Sequence, residues 1–134
     1  MSHPEWVSVR KAMRTDVSVI DGRKNVLEAL RLMRDGRATS LIVEKRSDKD
    51  EYGILTLSDI ATQVIARDKA PDRVNVFEIM TKPVITVRPE MDIRYCARLF
   101  ERFGIRRAPV IENEKVVGII SYYHLVLEGL PDLG

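Results

Sequence analysis

Apolar side chains in the first half of the chain follow a fixed order of extended and helical spacing. Val26, Ala29, Leu30 and Met33 recur at i, i+3, i+4 and i+7, and Asn25 stands directly in front of them. This spacing predicts an amphipathic helix whose N-cap is Asn25. Short strands are predicted at 17–20, 40–43 and 52–55, and a second helix at 58–66.

The second half of the chain repeats this order. Asp92 is the predicted N-cap of another amphipathic helix. The apolar face of that helix comprises Ile93, Cys96, Ala97, Phe100 and Phe103. Strands are predicted at 84–87, 108–111 and 116–120, and a last helix at 122–130. Gly104 is expected to end the amphipathic helix of this half, as Gly36 ends that of the first half near Arg34.

The two halves share one order of features at a nearly constant offset. Met13 matches Met80 and Val26 matches Ile93 at one constant offset. Each half is predicted as β-α-β-β-α, which gives an α+β fold with repeats at 9–67 and 75–130 and a linker at 68–74. Two copies are too few for a solenoid. We expect a pair of half-modules instead, with a cleft between them that can hold a ligand.

Composition narrows the class of protein. The chain has 134 residues, 45% of them hydrophobic and 31% charged, with a formal net charge of +2. These values fit an ordinary globular domain, and the near-balanced charge does not favour a nucleic-acid or membrane surface. The single cysteine, Cys96, excludes an internal disulfide, and with two histidines a structural zinc site is not expected. Without a membrane-length apolar run or a signal-peptide core, we expect a cytoplasmic protein.

Five short stretches carry a resemblance to a known family. They are AMR at 12–14, IMTKPVITV at 79–87, GIRRAPVI at 104–111, GILTLSDI at 53–60 and GIISYYHL at 118–125. Each stretch alone is weak, but their order and duplication are specific. Over Val9 to Glu128 the chain resembles the cystathionine-β-synthase (CBS) domain pair, also called a Bateman module.

The resemblance implies two tandem CBS repeats packed by pseudo-two-fold symmetry into one module. It implies a regulatory, energy-sensing protein that is not an enzyme and has no cofactor. Such modules bind an adenine nucleotide or adenosyl ligand (AMP, ADP, ATP or S-adenosylmethionine) between the repeats. A homodimer and an unknown regulated partner protein are expected, with no membrane or nucleic acid.

The string from Thr56 to Asp59 carries the most specific chemistry. A carboxylate can accept hydrogen bonds from both hydroxyls of a ribose, and a threonine hydroxyl can donate or accept beside it. By resemblance, Asp59 and Thr56 bind ribose and Ile54 flanks the base. The alternative is that Thr-x-x-Asp is only a capping box at a helix start. The two roles do not exclude each other.

The rest of this ligand site follows from the resemblance. The second repeat would supply residues that contact base and phosphate, which are Thr81, Ile85, Thr86, Ile105 and Arg106. The alternative for Ile85 and Ile105 is an ordinary place in the core. Arg106 and its neighbour Arg107 alternate faces, so that one of them can reach phosphate while the other is solvated.

A second, weaker site is expected at the matching place in repeat two. Its residues are Ser121, His124, Ile119, Arg107 and Val19. His124 stands where repeat one has Asp59, and a neutral imidazole cannot hold a vicinal diol as a carboxylate does. His124 either makes the site pH-sensitive or serves only as a surface or packing residue. Ser121 and His124 lack an acidic residue close in sequence, so catalysis is not expected.

Two other function classes stay open at this point. The chain is alternatively a structural or dimerisation module whose clefts hold no ligand, and this reading would be favoured by a degraded motif in both repeats. Repeat one, however, has its motif intact. Nucleic-acid binding is the third option, and it would show a steep salt dependence.

Overall fold

The computed structural model describes residues 6–82 and 84–130, which form two compact units. The repeat-one unit is Val17–Val84, and the repeat-two unit combines the residues from Ile85 onward with the segment that precedes Val17. Each unit therefore contains the body of one sequence repeat and the short leading helix of the other.

The helices and strands follow the duplicated order. In chain order they are α1 (Val9–Ala12), β1 (Val19–Ile20), α2 (Val26–Gly36), β2 (Ser40–Val43), β3 (Gly53–Thr56), α3 (Leu57–Ile60), α4 (Val76–Ile79), α5 (Ile93–Phe103), β4 (Arg107–Glu112) and β5 (Lys115–Ser121). A π-helical segment, Ala61–Ile65, continues α3, and another, His124–Glu128, follows β5. A 3-10 turn, Pro71–Arg73, lies in the predicted linker.

The repeat-one unit is built on a three-stranded sheet. Strand β1 pairs in parallel with β2, and β2 pairs antiparallel with β3. Because side chains alternate along a strand, Leu41, Val43 and Leu55 share one face. That face packs into a core that also contains Val26, Ala29, Met33, Ile60, Val64, Val76 and Ile79. The other face carries the residues of the candidate site.

The repeat-two unit is built on the β4–β5 hairpin. The strands are antiparallel, with an irregularity between Val110 and Ile111. One face of the hairpin joins α1 and α5 in a core that contains Val9, Ala12, Ile93, Cys96, Phe100, Ala108, Val110 and Ile120. Burial raises the pKa of the Cys96 thiol to about 11, as fits a small core residue.

The predicted helix starts are confirmed. Asn25 Oδ1 accepts a hydrogen bond from the Glu28 N–H at 2.9 Å, and Asp92 Oδ1 accepts one from the Arg94 N–H at 2.8 Å. Gly104 ends α5 in the left-handed conformation, with φ of 64°. The predicted N-caps Asn25 and Asp92 and the predicted helix end at Gly104 are therefore correct.

Three expectations were wrong. Helix α2 does not stop near Arg34 but continues to Gly36, and Arg37 takes the left-handed position with φ of 50°. No strand spans 84–87 in the described residues; Val87 makes only an isolated bridge with Val110. Phe103 does not join the buried face, because it lies in the last turn of α5 and is 55% exposed. Pro83 lies outside the described residues.

Two glycines allow the strands to approach the leading segments closely. A Cβ built on Gly118 would lie 2.6 Å from Met13 Sδ and 2.8 Å from the Arg14 carbonyl oxygen. A Cβ on Gly53 would lie 2.9 Å from Met80 Sδ and 3.2 Å from the Thr81 carbonyl oxygen. The same methionine–glycine packing therefore occurs once in each unit, and it is tighter in the repeat-two unit.

Candidate functional site

The repeat-one junction is the turn where β3 passes into α3, and it is organised by Thr56 and Asp59. The Asp59 N–H donates to Thr56 Oγ1 at 3.2 Å, and the Thr56 N–H donates to Asp59 Oδ2 at 2.9 Å. Ser58 Oγ lies 3.0 Å from Thr56 Oγ1. This is a reciprocal capping box. The capping role that the sequence left open is therefore present, and it uses only one oxygen of the Asp59 carboxylate.

Ile54 and Thr81 lie beside this junction. The Ile54 N–H donates to the Thr81 carbonyl and the Thr81 N–H donates to the Ile54 carbonyl, both at 2.9 Å. Ile54 is only 6% exposed, whereas Thr81 is exposed. Thr81 was expected as part of the second repeat, but it belongs to the repeat-one unit. The structure thus brings Ile54, Thr56, Asp59 and Thr81 together in one unit.

The other four residues predicted for this site belong to the repeat-two unit. Ile85 is half-buried and Thr86 is exposed, just before the bridge of Val87. Ile105 packs against the core of its unit, which is the alternative that the sequence left open. Arg106 is exposed, and its carbonyl accepts a hydrogen bond from the Tyr122 N–H at 3.2 Å. Ligand contacts by these four residues stay predictions.

The repeat-two junction is the equivalent turn after β5, and it is organised by Ser121 and His124. The Ser121 N–H donates to His124 Nδ1 at 3.1 Å, and Ser121 Oγ lies 2.9 Å from the same nitrogen. A backbone N–H can only donate, so Nδ1 is the acceptor and carries no proton. The neutral ring therefore has its proton on Nε2. His124 thus accepts a hydrogen bond from the Ser121 N–H, as Asp59 accepts one from the Thr56 N–H in repeat one.

The surroundings of His124 favour this neutral form. Burial of the ring, followed by the positive charge of Arg14, lowers the pKa of His124, and Glu128 acts in the opposite direction. The Tyr123 ring contacts the imidazole edge-on, with centroids 5.5 Å apart. A lowered pKa keeps Nδ1 available as an acceptor at neutral pH.

Arg14 is a residue of this junction that sequence reasoning missed. Its N–H and carbonyl both pair with Ile119, at 2.9 Å, and Arg107 lies opposite Ser121 in the β4–β5 register. The signal for Arg14 was available, because it follows Met13 as Thr81 follows Met80. Val19, which was also expected here, pairs with Ile42 in the repeat-one unit.

A cavity of about 570 Å³ lies in the repeat-one unit, at the opposite end of the sheet from Thr56. Within it, Lys82 Nζ lies 2.5 Å from Asp50 Oδ1, and this contact with Lys82 holds the pKa of Asp50 well below its usual range. The cavity is lined by Gly22, Arg23, Val43, Glu44, Arg46, Asp50, Phe77, Met80 and Lys82. No residue of the predicted ligand site lines it.

Neither a membrane-spanning helix nor a metal-binding cluster occurs in the described part of the chain. No helix there is both long and apolar enough to cross a membrane. No group of three or more histidine, cysteine, aspartate or glutamate side chains there is arranged to hold a metal ion.

The family model for the CBS domain matches residues 9–66 and 76–129. The chain belongs to the CBS domain family. Proteins of this family are generally regulatory modules without catalytic activity, and CBS domains commonly bind adenosyl ligands and oligomerise. The resemblance and the α+β fold class with two CBS repeats are therefore confirmed.

Solved and curated relatives agree with this assignment. A hexameric CBS-CP12 protein from bloom-forming cyanobacteria is 39% identical, with a TM-score of 0.87 over 91% of this chain and 70% of its own. An uncharacterized protein of Methanopyrus kandleri is 33% identical over 86% of this chain and 59% of its own length. A homoserine O-acetyltransferase of Methanosalsum zhilinae is 36% identical over 86% of this chain, but over only 22% of its own. The chain thus spans little more than half of the first curated relative.

Proposed function

We propose that this CBS pair is a regulatory module that binds an adenine nucleotide or adenosyl ligand through the repeat-one junction and signals to a partner protein. The observation that carries the proposal is that only one oxygen of the Asp59 carboxylate is hydrogen-bonded within the described residues. Oδ2 is bonded to the Thr56 N–H, and Oδ1 has no hydrogen-bond partner within the described residues. A carboxylate oxygen held in place by a backbone bond is a pre-oriented acceptor for a ribose hydroxyl.

Neighbouring groups support this assignment. Thr81 is exposed and adds a hydroxyl near the junction, because its backbone pairs with Ile54 two residues before Thr56. Both backbone groups of Ile54 are bonded to Thr81, so Ile54 offers a base only the small exposed edge of its side chain. AMP, ADP, ATP and S-adenosylmethionine all carry the ribose diol that this junction would read.

The signal would come from a difference in affinity. A ligand shifts a protein between two arrangements only by as much as it binds one of them more tightly. Bound ribose adds hydrogen bonds at the start of α3, so it favours the arrangement in which the Thr56–Asp59 capping box is formed. The regulated partner would distinguish that arrangement from the unliganded one.

The test is calorimetric titration with AMP, ADP, ATP and S-adenosylmethionine, in wild type and in Asp59→Asn. The asparagine keeps an oxygen for the Thr56 N–H but replaces the second acceptor by a donor. We expect one of the ligands to bind and its affinity to fall about tenfold or more in the variant, the usual cost of a hydrogen bond to a charged group.

Glu78→Gln is the matched control. Glu78 Oε2 accepts a hydrogen bond from the Asn75 N–H at 2.6 Å at the start of α4, so this carboxylate caps a helix of the same unit without a proposed ligand role. Binding should be unchanged in this variant. Equal affinity in wild type and Asp59→Asn would exclude the ribose assignment.

An interaction module is the second candidate, and exposed apolar side chains favour it. Tyr123, Val126 and Leu127 are exposed around the π-helical segment after β5, and Ile65 is exposed in the matching segment after α3. Large apolar groups in adjacent exposed positions mark protein contact surfaces. Sedimentation of wild type and Leu127→Glu tests this: we expect a dimer that the variant weakens, while a monomeric wild type would contradict it.

A further inference from the structure

The cavity beside Lys82 belongs wholly to the repeat-one unit. Its volume of about 570 Å³ is within the range of cavities that enclose small organic molecules. Val43, Phe77 and Met80 supply its apolar lining. Gly22 lies against two of these side chains, because a Cβ built on it would be 3.3 Å from Val43 Cγ1 and 3.4 Å from Phe77 Cβ. Phe77 is nevertheless 50% exposed, so it is available to a ligand in the cavity.

The basic side chains that line the cavity already have acidic partners. Lys82 Nζ lies 2.5 Å from Asp50 Oδ1, and Arg46 Nε lies 3.6 Å from Asp50 Oδ2. Arg23 Nη2 lies 2.7 Å from Asp21 Oδ2. Arg23 and Arg46 are also exposed, so solvent screens their charges. These pairs leave little uncompensated positive charge in the cavity.

Glu44 is the acidic side chain of the cavity that these pairs leave over. Within the described residues, its carboxylate has no hydrogen-bond or ion-pair partner. Its backbone is held in place, because the Glu44 N–H donates to the Ile20 carbonyl at 2.9 Å. The cavity therefore combines an unpaired carboxylate with the exposed ring of Phe77, and both groups attract cations.

The repeat-two unit shows which group can complete such an arrangement. The Phe77 N–H donates to the Gly22 carbonyl in repeat one, and the Arg10 N–H donates to the Pro89 carbonyl in repeat two, both at 2.9 Å. Arg10 therefore occupies the backbone position of Phe77. Its guanidinium donates to the carboxylate of Glu112, at the end of β4.

The two carboxylates lie in comparable places. Val43 and Val110 are each paired with the glycine of their hairpin. Glu44 follows the first valine directly, and Glu112 follows the second by two residues. Each unit thus has a carboxylate at the hairpin end of its sheet. In repeat two a guanidinium of the chain itself neutralises that carboxylate, whereas in repeat one a phenylalanine stands in place of the arginine.

We propose that the cavity of the repeat-one unit binds a guanidinium group carried on an apolar stem. Glu44 is its counter-ion, the Phe77 ring stacks on it, and Val43 and Met80 contact the stem. A guanidinium matches both polar contacts, because it bonds a carboxylate with two parallel N–H groups and stacks on aromatic faces. The ligand thus supplies the group that Arg10 supplies in repeat two. This proposal does not rest on nucleotide binding at the repeat-one junction.

The experiment is a titration of the ¹⁵N-labelled protein with n-butylguanidinium at constant ionic strength. We expect saturable shifts of the Gly22, Glu44 and Phe77 amides, and about tenfold weaker binding in Glu44→Gln, which removes a charge-assisted pair. Glu51→Gln is the matched control, since it removes an exposed carboxylate of the same hairpin that does not line the cavity. Equal affinity in these two variants would overturn the proposal. So would equal binding of pentanoate, which has a similar stem and the opposite charge.

Two substitutions of Phe77 give an independent test. Phe77→Arg should fold, because the same backbone position takes Arg10 in repeat two, and amide dispersion checks this. Its guanidinium should pair with Glu44 and abolish butylguanidinium binding. Phe77→Leu keeps an apolar side chain and loses only the ring, so binding should fall by no more than about fivefold. Unchanged binding in the folded Phe77→Arg would overturn the proposal.

Two further measurements identify the source of the guanidinium and separate this site from the repeat-one junction. Binding of the peptide acetyl-Gly-Arg-Gly-amide at least tenfold more tightly than butylguanidinium would indicate an arginine side chain of a partner protein. Equal or weaker binding would indicate a small guanidinium compound. Asp59→Asn should bind butylguanidinium as wild type does, whether or not it binds a nucleotide, because Asp59 does not line the cavity. Loss of butylguanidinium binding in that variant would contradict a separate site.

Discussion

At the repeat-one junction a threonine and an aspartate bond to each other's backbone N–H groups; at the repeat-two junction a serine and a histidine share one backbone N–H bond and a side-chain contact. In both junctions a side-chain acceptor bonds the backbone N–H of the last strand residue. They differ in the polar group that the bond leaves over, which is a second carboxylate oxygen on Asp59 and an Nε2–H on His124. The comparison shows that capping fixes the position of a side chain without fixing the chemistry that it presents.

Replacing the two close-packed glycines should have the largest effect on stability. In Gly118→Ala the new methyl group meets a backbone carbonyl at 2.8 Å, whereas in Gly53→Ala the nearest carbonyl is at 3.2 Å. We expect losses in the free energy of unfolding of about 3 kcal/mol and about 1 kcal/mol, respectively. Denaturant unfolding measures both, and Gly36→Ala, inside helix α2, is the control. Equal losses, or a larger loss in Gly53→Ala, would contradict the tighter packing in the repeat-two unit.

Removing the two caps should have equal, intermediate effects. Asp59→Ala and His124→Ala each remove one side-chain acceptor for a backbone N–H, and each should cost about 1 kcal/mol of unfolding free energy. Ser58→Ala removes an exposed hydroxyl that contacts Thr56 Oγ1 but accepts from no backbone N–H, so it should change the free energy by less than about 0.5 kcal/mol. If His124→Ala matched Ser58→Ala, the imidazole would not be a structural equivalent of Asp59.

The pH dependence of stability should separate the two junctions further. Because the pKa of His124 is lowered in the fold, its neutral form contributes stability that is complete above the ordinary histidine value near 6.5. That contribution is lost as the pH falls through the lowered pKa. The charges of Arg14 and Glu128 act on the ring in opposite directions. Unfolding midpoints between pH 7 and pH 5 should therefore fall in wild type and less in His124→Asn. Parallel curves would contradict the assigned protonation state.

The ion pairs that tie each hairpin to its leading segment should have the smallest effects. Lys82 and Asp50 are 20% and 16% exposed, whereas Arg10 and Glu112 are 51% and 37% exposed. Less exposed pairs are less screened by solvent and salt. Lys82→Met should therefore lower the unfolding midpoint more than Arg10→Met, and its effect should persist at high salt. The reverse order would show that exposure does not rank these pairs.

Much of the fold was predictable because it rests on local signals. The N-caps Asn25 and Asp92 and the left-handed Gly104 are specified by residues adjacent in sequence. The end of α2 was not predictable from Gly36, because Arg37 takes the left-handed position instead. The prediction of a strand at 84–87 was wrong for a different reason. Its apolar spacing is typical of a strand, but in the described residues only Val87 has a pairing partner.

The candidate site was predictable in part. Thr56 and Asp59 are three residues apart, so their mutual bonds follow from local geometry. The place of Thr81 beside Ile54 and that of Arg14 beside Ile119 depend on pairing between distant segments. Sequence order assigns each of these two residues to one repeat, whereas the fold assigns each to the unit of the other.

The central proposal is that the Asp59 carboxylate of the repeat-one junction, held by the Thr56 N–H, binds the ribose of an adenosyl ligand. Its most direct test is a titration of ¹⁵N-labelled wild type and Asp59→Asn with AMP, ADP, ATP and S-adenosylmethionine. The account predicts that one of these ligands shifts the amides of Thr56 and Asp59 in wild type, and that about tenfold more of it is needed in Asp59→Asn. Equal titration curves in the two proteins, or no shifts at this junction with any of the ligands, would contradict it.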